Sequence, residues 1–346
     1  MVCGSDLNQP RHVNICPPVL TPLIGESSGS LKPRVVVLMS TYNGARFVKS
    51  QLESILAQLP VGGRVFIRDD GSSDQTVREV ESLNDPRIQH WLGPNIGFGA
   101  SFLALLQRVP DEVDMVMFSD QDDIWLHGKI ARAWQALSEA PSGPTLYGCA
   151  QALVDEDLRP LGRSKPPSNP PSLANALTEN IIVGCTAAMN RSAASLLKSA
   201  GVPAGIKFHD WWTYLVVSTF GAVIYDDQPM LLYRQHGHNV VGRHPGVRAT
   251  LQRAFKLIVR GDWIGDLLAQ VHSLLLCFGE RMDPQKREWI MRHFSSRSST
   301  VTPRWRFVLC VHRWHQTLLG ETVLRGLIVL EKLGARPRRS KSADEY

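Results

Sequence analysis

Short apolar runs alternate with amphipathic segments along the first part of the chain. Residues 35–39 are all apolar, which is typical of a strand that is covered on both faces of a parallel sheet. Apolar positions at helical spacing follow between Phe47 and Leu59 and stop at Pro60. The alternation continues and predicts a parallel α/β sheet, whose further strands are expected at residues 65–67, 88–91 and 115–118.

Polar side chains stand at the ends of three of these predicted strands. Thr41 follows the first strand, Asp70 follows the second, and Asp122 follows the strand at residues 115–118. Ligands of parallel α/β sheets bind outside the carboxyl ends of the strands. We therefore expect these three residues to share one site.

Three carboxylates, those of Asp120, Asp122 and Asp123, come directly after that last strand. They repel one another unless a cation lies among them, and the first two would point the same way on an extended chain. The spacing predicts a site for a hard divalent cation and a nucleotide phosphate. A solvated acidic turn is the alternative, and the acidic end of the second strand favours the site.

The composition is that of a globular protein with one large domain and an appendage, since the 346 residues are 43% hydrophobic. Six cysteines lack C-x-x-C spacing, which indicates a reduced cytosolic compartment and disfavours a zinc site. Cys185 is predicted to be a packed or pocket-lining thiol. No histidine or other base at a suitable spacing supports a nucleophile there.

The charge divides the chain into two parts. Residues 1–242 carry 19 Lys and Arg against 23 Asp and Glu, whereas residues 243–346 carry 19 against 9. The basic part has apolar positions at helical spacing, as in residues 267–278, but no uninterrupted run of eighteen, so no transmembrane span is predicted. Basic residues near Trp305 and Trp314 favour helices on an anionic membrane surface. The alternative is a helical subdomain packed on the first part or in a dimer.

Four segments are expected along the chain. Residues 1–33 are rich in Pro, Ser, Gly and Asn and lack the apolar core of a signal peptide, which predicts a disordered leader. The α/β domain is expected at residues 34–242, a helical region with membrane contact at 243–335, and a disordered basic tail at 336–346. The basic residues lie among apolar helical faces, so no nucleic-acid partner is expected.

Four spaced motifs carry a resemblance to a known family: MSTYN at residues 39–43, DDGSSD at 69–74, NIG at 95–97 and DQDDIW at 120–125. In this order they resemble the signature of family 2 glycosyltransferases, and among these the bacterial rhamnosyltransferase-like members that build surface polysaccharides. The resemblance spans about residues 34–242. It implies a GT-A fold, a Rossmann-like, mixed and mainly parallel sheet flanked by helices, here with a C-terminal helical appendage.

The resemblance also implies a donor site. In that family the first strand end and the D-D-G-S element hold the nucleoside of a nucleotide sugar, while the acidic cluster holds Mg²⁺ or Mn²⁺ on the diphosphate. By position, the residues expected to bind the donor are Thr41, Tyr42, Asn43, Asp70, Asn95, Gly97, Asp120 and Arg234. Those expected to bind the metal are Asp120, Asp122 and His236.

Some of these assignments have structural alternatives. Asp70 could be a turn residue that caps the following helix, although Asp74 is the better candidate for that position. Asn95 to Gly97 fits a plain turn as well as a ligand contact. His236 could be a surface histidine that binds no metal.

The segment at residues 207–212 resembles the place where the family keeps an acidic pair. Asp210 there inherits the role of catalytic base, which takes the proton from the acceptor hydroxyl in an inverting transfer. His209 departs from the acidic pair, and its own role stays open. The alternative for Asp210 is the N-cap of the helix that follows.

The resemblance thus predicts a metal-dependent inverting glycosyltransferase in the cytoplasm, at the inner face of the cell membrane. The expected donor is a UDP- or dTDP-sugar, with rhamnose as one candidate sugar, and the expected acceptor is a hydroxyl of a growing glycan that a lipid could carry. Two alternatives stay open. A nucleotidyltransferase on a similar fold would release pyrophosphate, and a catalytically silent carbohydrate- or nucleotide-sugar-binding protein would bind nucleotide without turnover.

Overall fold

A computed structural model of the protein describes residues 33–236, 262–294, 314–318, 320–322 and 324–326. Nearly all of the predicted leader, the whole basic tail and Trp305 lie outside the described residues. The apolar pattern at residues 251–259 and most of that at 307–330 lie outside them as well.

Strands and helices alternate in the first half of the protein, as the apolar pattern predicts. The elements are β1 Val35–Thr41, α1 Val48–Leu56, β2 Arg64–Asp69, α2 Thr76–Ser82, β3 Ile88–Leu92, α3 Phe98–Gln107 and β4 Met115–Ser119. These four strands are parallel and lie in the order β3-β2-β1-β4. Their carboxyl ends therefore meet at one edge of the sheet.

The second half extends the same sheet. Its elements are β5 Ile124–Trp125, α4 Lys129–Ser138, β6 Thr145–Val154, β7 Pro160–Arg163, α5 Leu173–Ala176, a 3₁₀ turn Gly184–Thr186, β8 Ala188–Asn190, α6 Arg191–Lys198, α7 His209–Phe220 and β9 Ala222–Arg234. Among the described residues the strand order is β3-β2-β1-β4-β8-β6-β9-β5, with β7 beside β6. β8 is antiparallel to both of its neighbours, whereas β9 is parallel to β6. The result is the mixed α/β sheet that the predicted fold class requires.

The central strand β1 is covered on both faces. Val36 and Leu38 pack in one apolar layer with residues of α3 and α7. Val35, Val37 and Met39 pack in the other with residues of α1 and α4. Because successive side chains of a strand point to opposite faces, an unbroken apolar run fills both layers.

The long strand β9 lies between β6 and β5 at one end of the sheet. It follows β6 over most of its length, and its last residues pair with β5, where Leu231 lies opposite Trp125 and Leu232 opposite Ile124. Because β5 comes directly after the three carboxylates, this pairing carries Arg234 to their side. A contact between residues more than 100 positions apart in sequence is thus fixed by strand register.

Pro166, Pro167, Pro170 and Pro171 predict a loop over residues 162–172. The first two residues of this segment, Gly162 and Arg163, belong instead to β7 and pair with Leu153 and Ala152 of β6. β7 begins at Pro160 and, among the described strands, pairs with β6 alone, and a missing N–H is tolerated at the first position of such a strand.

Two helices of the C-terminal part, α8 Asp262–Phe278 and α9 Pro284–Phe294, pack on the α/β domain. Leu267, Val271 and Leu274 of α8 are buried in the same apolar layer as residues of α7. The described C-terminal segments therefore follow the packed alternative of the sequence analysis. No helix in the described part of the chain has the length and apolar character needed to cross a membrane.

Trp314 shows the same arrangement. Its side chain is 1% exposed and its ring stacks on that of Trp289, with 5.1 Å between the centroids. The ring of Trp314 therefore lies inside the protein, and the membrane contact expected for residues 243–335 stays a prediction.

We expect Leu274→Ala to lower the free energy of unfolding by about 2–5 kcal/mol, because a buried side chain is replaced by a cavity. Leu276→Ala is the matched control on the same helix, since Leu276 is 76% exposed, and its effect should stay within about 0.5 kcal/mol. Urea unfolding followed by tryptophan fluorescence measures both. Equal, small effects would mean that α8 does not pack on this core.

Candidate active site

The carboxylates predicted from the sequence lie in a short connection between β4 and β5, residues 120–123, called here the acidic loop. The chain bends at residues 121–122 instead of staying extended, so alternate positions do not share a face. Asp120 is grouped with Asp123 and Cys185, whose ligand atoms lie within 4.8 Å of one another. Asp122 instead meets His236, with 2.7 Å between its Oδ2 and the Nε2 of the imidazole.

The end of β9 holds the acidic loop from one side. The backbone N–H of Arg234 donates to Oδ1 of Asp123 at 3.1 Å, and its Nε donates to the carbonyl of Asp122 at 2.8 Å. The guanidinium also donates to the carbonyl of Glu156 and lies 4.6 Å from the ring centroid of Phe47. Arg234 is 5% exposed, so the structure gives it a loop-holding role, and its predicted contact with phosphate stays a prediction.

The end of β1 holds the acidic loop from the other side. The side-chain amide of Gln121 forms two hydrogen bonds with the backbone of Tyr42: the N–H of Tyr42 donates to Oε1, and Nε2 donates to the carbonyl of Tyr42, each at 3.0 Å. Gly44 leaves the room for this side chain, because a Cβ there would lie 2.2 Å from Oε1 of Gln121. Gln121 and Gly44 are not among the site residues predicted from the sequence.

The donor atoms of the acidic loop fit a divalent cation. Oδ2 of Asp123 has no hydrogen-bond partner among the described residues, although the residue is fully buried, and carboxylate oxygens are the ligands that Mg²⁺ and Mn²⁺ prefer. The thiol of Cys185 does not complete such a set, because burial and the nearby carboxylates raise its pKa well above the usual value. It is a packed thiol, as the sequence predicts.

Charge is concentrated at this loop. Burial, with the added repulsion of Asp122 and Asp210, raises the pKa of Asp120 to about 7. Burial and the charges of Asp122 and Asp120 also raise the pKa of Asp123. The repulsion felt by Asp120 shows that the fold brings Asp210, which lies 90 positions later in the sequence, to the acidic loop.

Asp210 lies in the first turn of α7, one position after the helix begins. The helix N-cap is Phe208, so the N-cap alternative for Asp210 is wrong. Its Oδ2 accepts a hydrogen bond from the N–H of Gly184 at 3.0 Å, and its Oδ1 accepts one from the N–H of Trp211 at 2.8 Å. Burial raises the pKa of Asp210 to about 6, a value suited to a base that works near neutral pH.

The ring of His209 is packed among aromatic side chains next to Gly184, and it has no part in the proton transfer assigned to Asp210. Its ring stacks on Phe102 with 3.9 Å between centroids and meets Phe118 edge to face. Burial lowers the pKa of His209 to about 3, so the imidazole is neutral at physiological pH. A Cβ on Gly184 would lie 2.8 Å from its Nε2, so glycine is needed for the Gly184 N–H to reach Asp210.

The residues predicted to hold the nucleoside lie at the ends of β1 and β2. The hydroxyl of Thr41 donates to Asp69 at 2.8 Å, and Thr41 is 1% exposed. Asn43, with φ of 47°, donates its N–H to Ser72 and accepts the N–H of Ser73. Tyr42 is 50% exposed and Asn43 is also exposed, so a ligand can reach these two residues but not the side chain of Thr41.

The carboxylate of Asp70 already accepts hydrogen bonds from donors of its own chain. It accepts hydrogen bonds from the guanidinium of Arg68 and from the N–H groups of Ile96 and Gly97, the latter at 2.8 Å. It is 2% exposed. These contacts hold the loop that contains Asn95 and Gly97, and a direct contact of Asp70 with a nucleoside stays a prediction.

Neither Asp70 nor Asp74 is the N-cap of α2, which is Gln75. Asp74 lies one position earlier, and its Oδ1 accepts the N–H of Thr76, the first residue of α2, at 2.9 Å. Gly97 adopts φ of 80°, as a turn glycine does. Gly99 is needed for a different contact, since a Cβ there would lie 2.4 Å from the carbonyl oxygen of Lys207.

A separate surface hollow of about 690 Å³ lies near the start of β4, at the opposite end of that strand. Asp114, Asn190, Arg191 and Arg281 are among its lining residues, and none of the predicted site residues lines it. The candidate active site is therefore the acidic loop with Asp210.

Comparisons with known proteins show the family and the fold of this chain. The family description "Glycosyl transferase family 2" matches residues 36–197. The dTDP-rhamnosyl transferase RfbG of Shigella flexneri is 30% identical over 254 residues, which are 68% of this chain and 84% of that protein. The structure of S. aureus TarS 1–349 in complex with UDP-GlcNAc has a TM-score of 0.53 at 16% identity, covering 87% of this chain and 83% of that one. The structure of S. aureus TarS 1–349 in complex with UDP has a TM-score of 0.52, covering 90% of this chain and 94% of that one. At such identity, these structures show a shared fold.

We expect Gly184→Ala to lower the turnover number by about 100-fold while the KM for the donor stays nearly constant, because the new Cβ displaces His209 and withdraws an N–H from Asp210. Steady-state kinetics measures the two constants separately. Gly265→Ala is the control, since no described atom lies within 4 Å of a Cβ built there. A changed KM with an unchanged turnover number would contradict the role of Gly184 in positioning the Asp210 carboxylate.

Proposed function

Because this chain belongs to glycosyltransferase family 2 and is a glycosyltransferase, we propose that it moves a sugar from a nucleoside diphosphate donor to a glycan hydroxyl, with inversion at the anomeric carbon. The observation that carries the proposal is the meeting of Asp210 with the acidic loop. Asp210, whose pKa is raised to about 6, lies close enough to Asp120 for its charge to help raise the pKa of that carboxyl. That arrangement supplies a base for the acceptor beside an anchor for the leaving diphosphate.

We propose dTDP-rhamnose as the first donor to test. The support is the relative RfbG, which is described as a dTDP-rhamnosyl transferase. UDP-sugars are the second class, because the TarS structure with a similar fold contains UDP-GlcNAc. Surface polysaccharide synthesis is the proposed setting, with an acceptor glycan that a lipid carries.

Asp210 is the proposed base. Its two oxygens are held by the N–H groups of Gly184 and Trp211, which fixes the carboxylate before the acceptor binds. Each carboxylate oxygen keeps a further lone pair. One of them can therefore accept the proton of the acceptor hydroxyl while the hydroxyl oxygen attacks the anomeric carbon. The imidazole of His209 is neutral at physiological pH, so it adds no positive charge near the Asp210 carboxylate.

Asp120 and Asp122 are the proposed ligands of Mg²⁺ or Mn²⁺, with His236 beside Asp122 as a third. When bound, such an ion neutralises the charge that develops on the leaving diphosphate. Tyr42, Asn43, Asn95 and the other predicted donor-binding residues form the loops around this position. Asp123 is grouped with Asp120 in the structure and joins the proposed set as a fully buried carboxylate.

Membrane contact through the C-terminal region stays a prediction. Its described helices pack on the catalytic domain, while residues 237–261 and 295–313 lie outside the described residues. We propose that the protein works at the cytoplasmic face of the membrane, where it would bind a lipid-linked acceptor.

The proposed function is tested by incubating the enzyme with a panel of dTDP- and UDP-sugars in Mn²⁺, Mg²⁺ or EDTA and measuring the released nucleotide. We expect one donor to yield nucleoside diphosphate in the presence of metal. Asp210→Asn should lower the rate by about 10²- to 10⁴-fold while donor binding persists. Release of pyrophosphate would instead indicate a nucleotidyltransferase, and nucleotide binding without any product on addition of acceptor glycans would indicate a binding protein.

The pH dependence tests the base directly. Asp210 accepts a proton only when it is ionised, and its pKa is raised to about 6, so the active fraction falls as the pH drops below that value. With metal at saturation, we expect kcat/KM to decrease about tenfold per pH unit below about pH 6. A profile that stays flat down to pH 4.5 would contradict the assignment of Asp210.

A further inference from the structure

Residues 314–316 form a short irregular segment of the C-terminal part, called here the C-terminal clamp. Trp314 is 1% exposed, and the backbone N–H groups of Trp314 and His315 donate to Oε2 of Glu321 at 2.9 and 2.8 Å. The backbone of the clamp is therefore held in one shape, although it belongs to no helix or strand. It contains none of the residues proposed for the active site.

The clamp is hydrogen-bonded to α5 and to the residues directly after it. The carbonyl of Trp314 accepts hydrogen bonds from Oγ1 of Thr178 at 2.9 Å and from Nδ2 of Asn175 at 3.1 Å. The N–H of Gln316 donates to Oε2 of Glu179 at 2.8 Å. Thr178 is 0% exposed and Asn175 is 3% exposed, so water cannot readily replace a lost partner of either side chain. The clamp thus fixes α5 from one side.

On its other side α5 is hydrogen-bonded to α7, the helix that carries Asp210. Nε1 of Trp211 donates to the carbonyl of Ala176 at 2.7 Å, and the hydroxyl of Tyr214 donates to Oδ1 of Asn175 at 3.0 Å. Trp211 directly follows Asp210, and Tyr214 lies one turn further along the helix. Two buried side chains therefore hold the first turn of α7 against α5.

α5 is also connected to the second donor that holds Asp210. A short connection leads from α5 into the 3₁₀ turn, where Gly184 donates its N–H to Asp210. Leu177, at the start of this connection, is buried in the same apolar layer as Trp211. Both N–H groups that fix the carboxylate, those of Gly184 and Trp211, therefore lie on segments that contact α5 or continue from it.

We propose that the C-terminal clamp is a positioning element for Asp210. It acts through α5, which it fixes against the first turn of α7, and so keeps the carboxylate where an acceptor hydroxyl can reach it. The inference rests on the proposed role of Asp210 as the base. It gives part of the C-terminal region a role in the transfer itself.

A clamp that only stabilises the fold would behave differently. Its loss would reduce the amount of folded protein, while each folded molecule would keep its turnover number. A clamp that positions the base instead changes the turnover number of the folded protein, because small displacements of a reacting group lower the rate steeply. The KM for the donor should stay nearly constant, since neither the clamp nor α5 contains a predicted donor-binding residue.

The first test is Thr178→Val, which removes the hydroxyl that donates to Trp314 and keeps a side chain of similar shape. Steady-state kinetics of nucleotide release should show a turnover number lowered about tenfold at a nearly constant donor KM. Thr178→Ser keeps the hydroxyl and should retain most of the turnover number. A turnover number equal to that of wild type in folded Thr178→Val would overturn the proposal.

Thr219→Val is the matched control on α7. Thr219 is 2% exposed, and its hydroxyl donates to the carbonyl of Leu215 in the same helix at 2.8 Å. Both valine variants should lower Tm by about 2–4 °C, because each loses one buried hydrogen bond. Only Thr178→Val should lower the turnover number. Equal losses of turnover in the two variants would mean that the clamp has a structural role alone.

Tyr214→Phe removes the hydroxyl that links α7 to α5, and it decides the question if Thr178→Val does not fold. Its turnover number should also fall about tenfold. Because both links act through α5, the double variant Thr178→Val with Tyr214→Phe should be little slower than the slower single variant. Losses that multiply would mean that the two residues act independently, which would overturn the proposal.

Hydrogen exchange followed by mass spectrometry tests the coupling without any turnover. We expect peptides that cover residues 182–186 and 209–214 to exchange faster in Thr178→Val and in Tyr214→Phe than in wild type or Thr219→Val. Unchanged exchange in both variants would overturn the inference. If Asp210→Asn keeps the turnover number of wild type, the base of the proposed function fails instead, and the exchange rates still decide whether the clamp holds the first turn of α7.

Discussion

Repulsion among carboxylates at one strand end is the constraint on which the rest of this structure depends. Burial raises the pKa of Asp120, Asp123 and Asp210, and the charges of neighbouring carboxylates raise those of Asp120 and Asp123 further, so ionising these groups together costs stability. The chain offsets this cost with donors from separate elements, among them the N–H groups of Arg234 in β9 and of Gly184 in the 3₁₀ turn. The loop keeps its shape only when the whole sheet is assembled around it.

The same arrangement explains why the fold is suited to sugar transfer. A glycosyl transfer develops negative charge on the leaving diphosphate and needs a base on the acceptor side. The parallel half of the sheet presents the acidic loop at its carboxyl edge, and α7 presents Asp210 beside it. β9 returns over β6 to meet β5 and so places Arg234 and His236 on the loop. The proposed base and the proposed metal ligands are thus held by different parts of the chain and converge when the sheet forms.

The sequence predicts well what depends on local pattern and less well what depends on long-range contact. The apolar run of β1 and the acidic strand ends are local, so the parallel α/β core and the position of the acidic loop at the end of β4 could be read directly. The pairing of Gln121 with the backbone of Tyr42 could not, because a neutral amide in a loop carries no signal of its partner. Lys129 is fully buried, although it looks like an ordinary surface lysine in the sequence. The burial of Trp314 could not be predicted either, because an amphipathic helix has the same pattern whether a bilayer or a protein core covers it.

The most direct test of the account is a crystal structure with Mn²⁺ and dTDP, in which the anomalous signal locates the ion without assumptions about the ligands. The account predicts one anomalous peak in contact with Asp120 and a second carboxylate of the acidic loop, with the diphosphate on that ion and Asp210 facing the open side. The peak should be absent in Asp120→Asn. An ion bound elsewhere, or a diphosphate that lies away from both the acidic loop and Asp210, would contradict the central claim that these residues form one site.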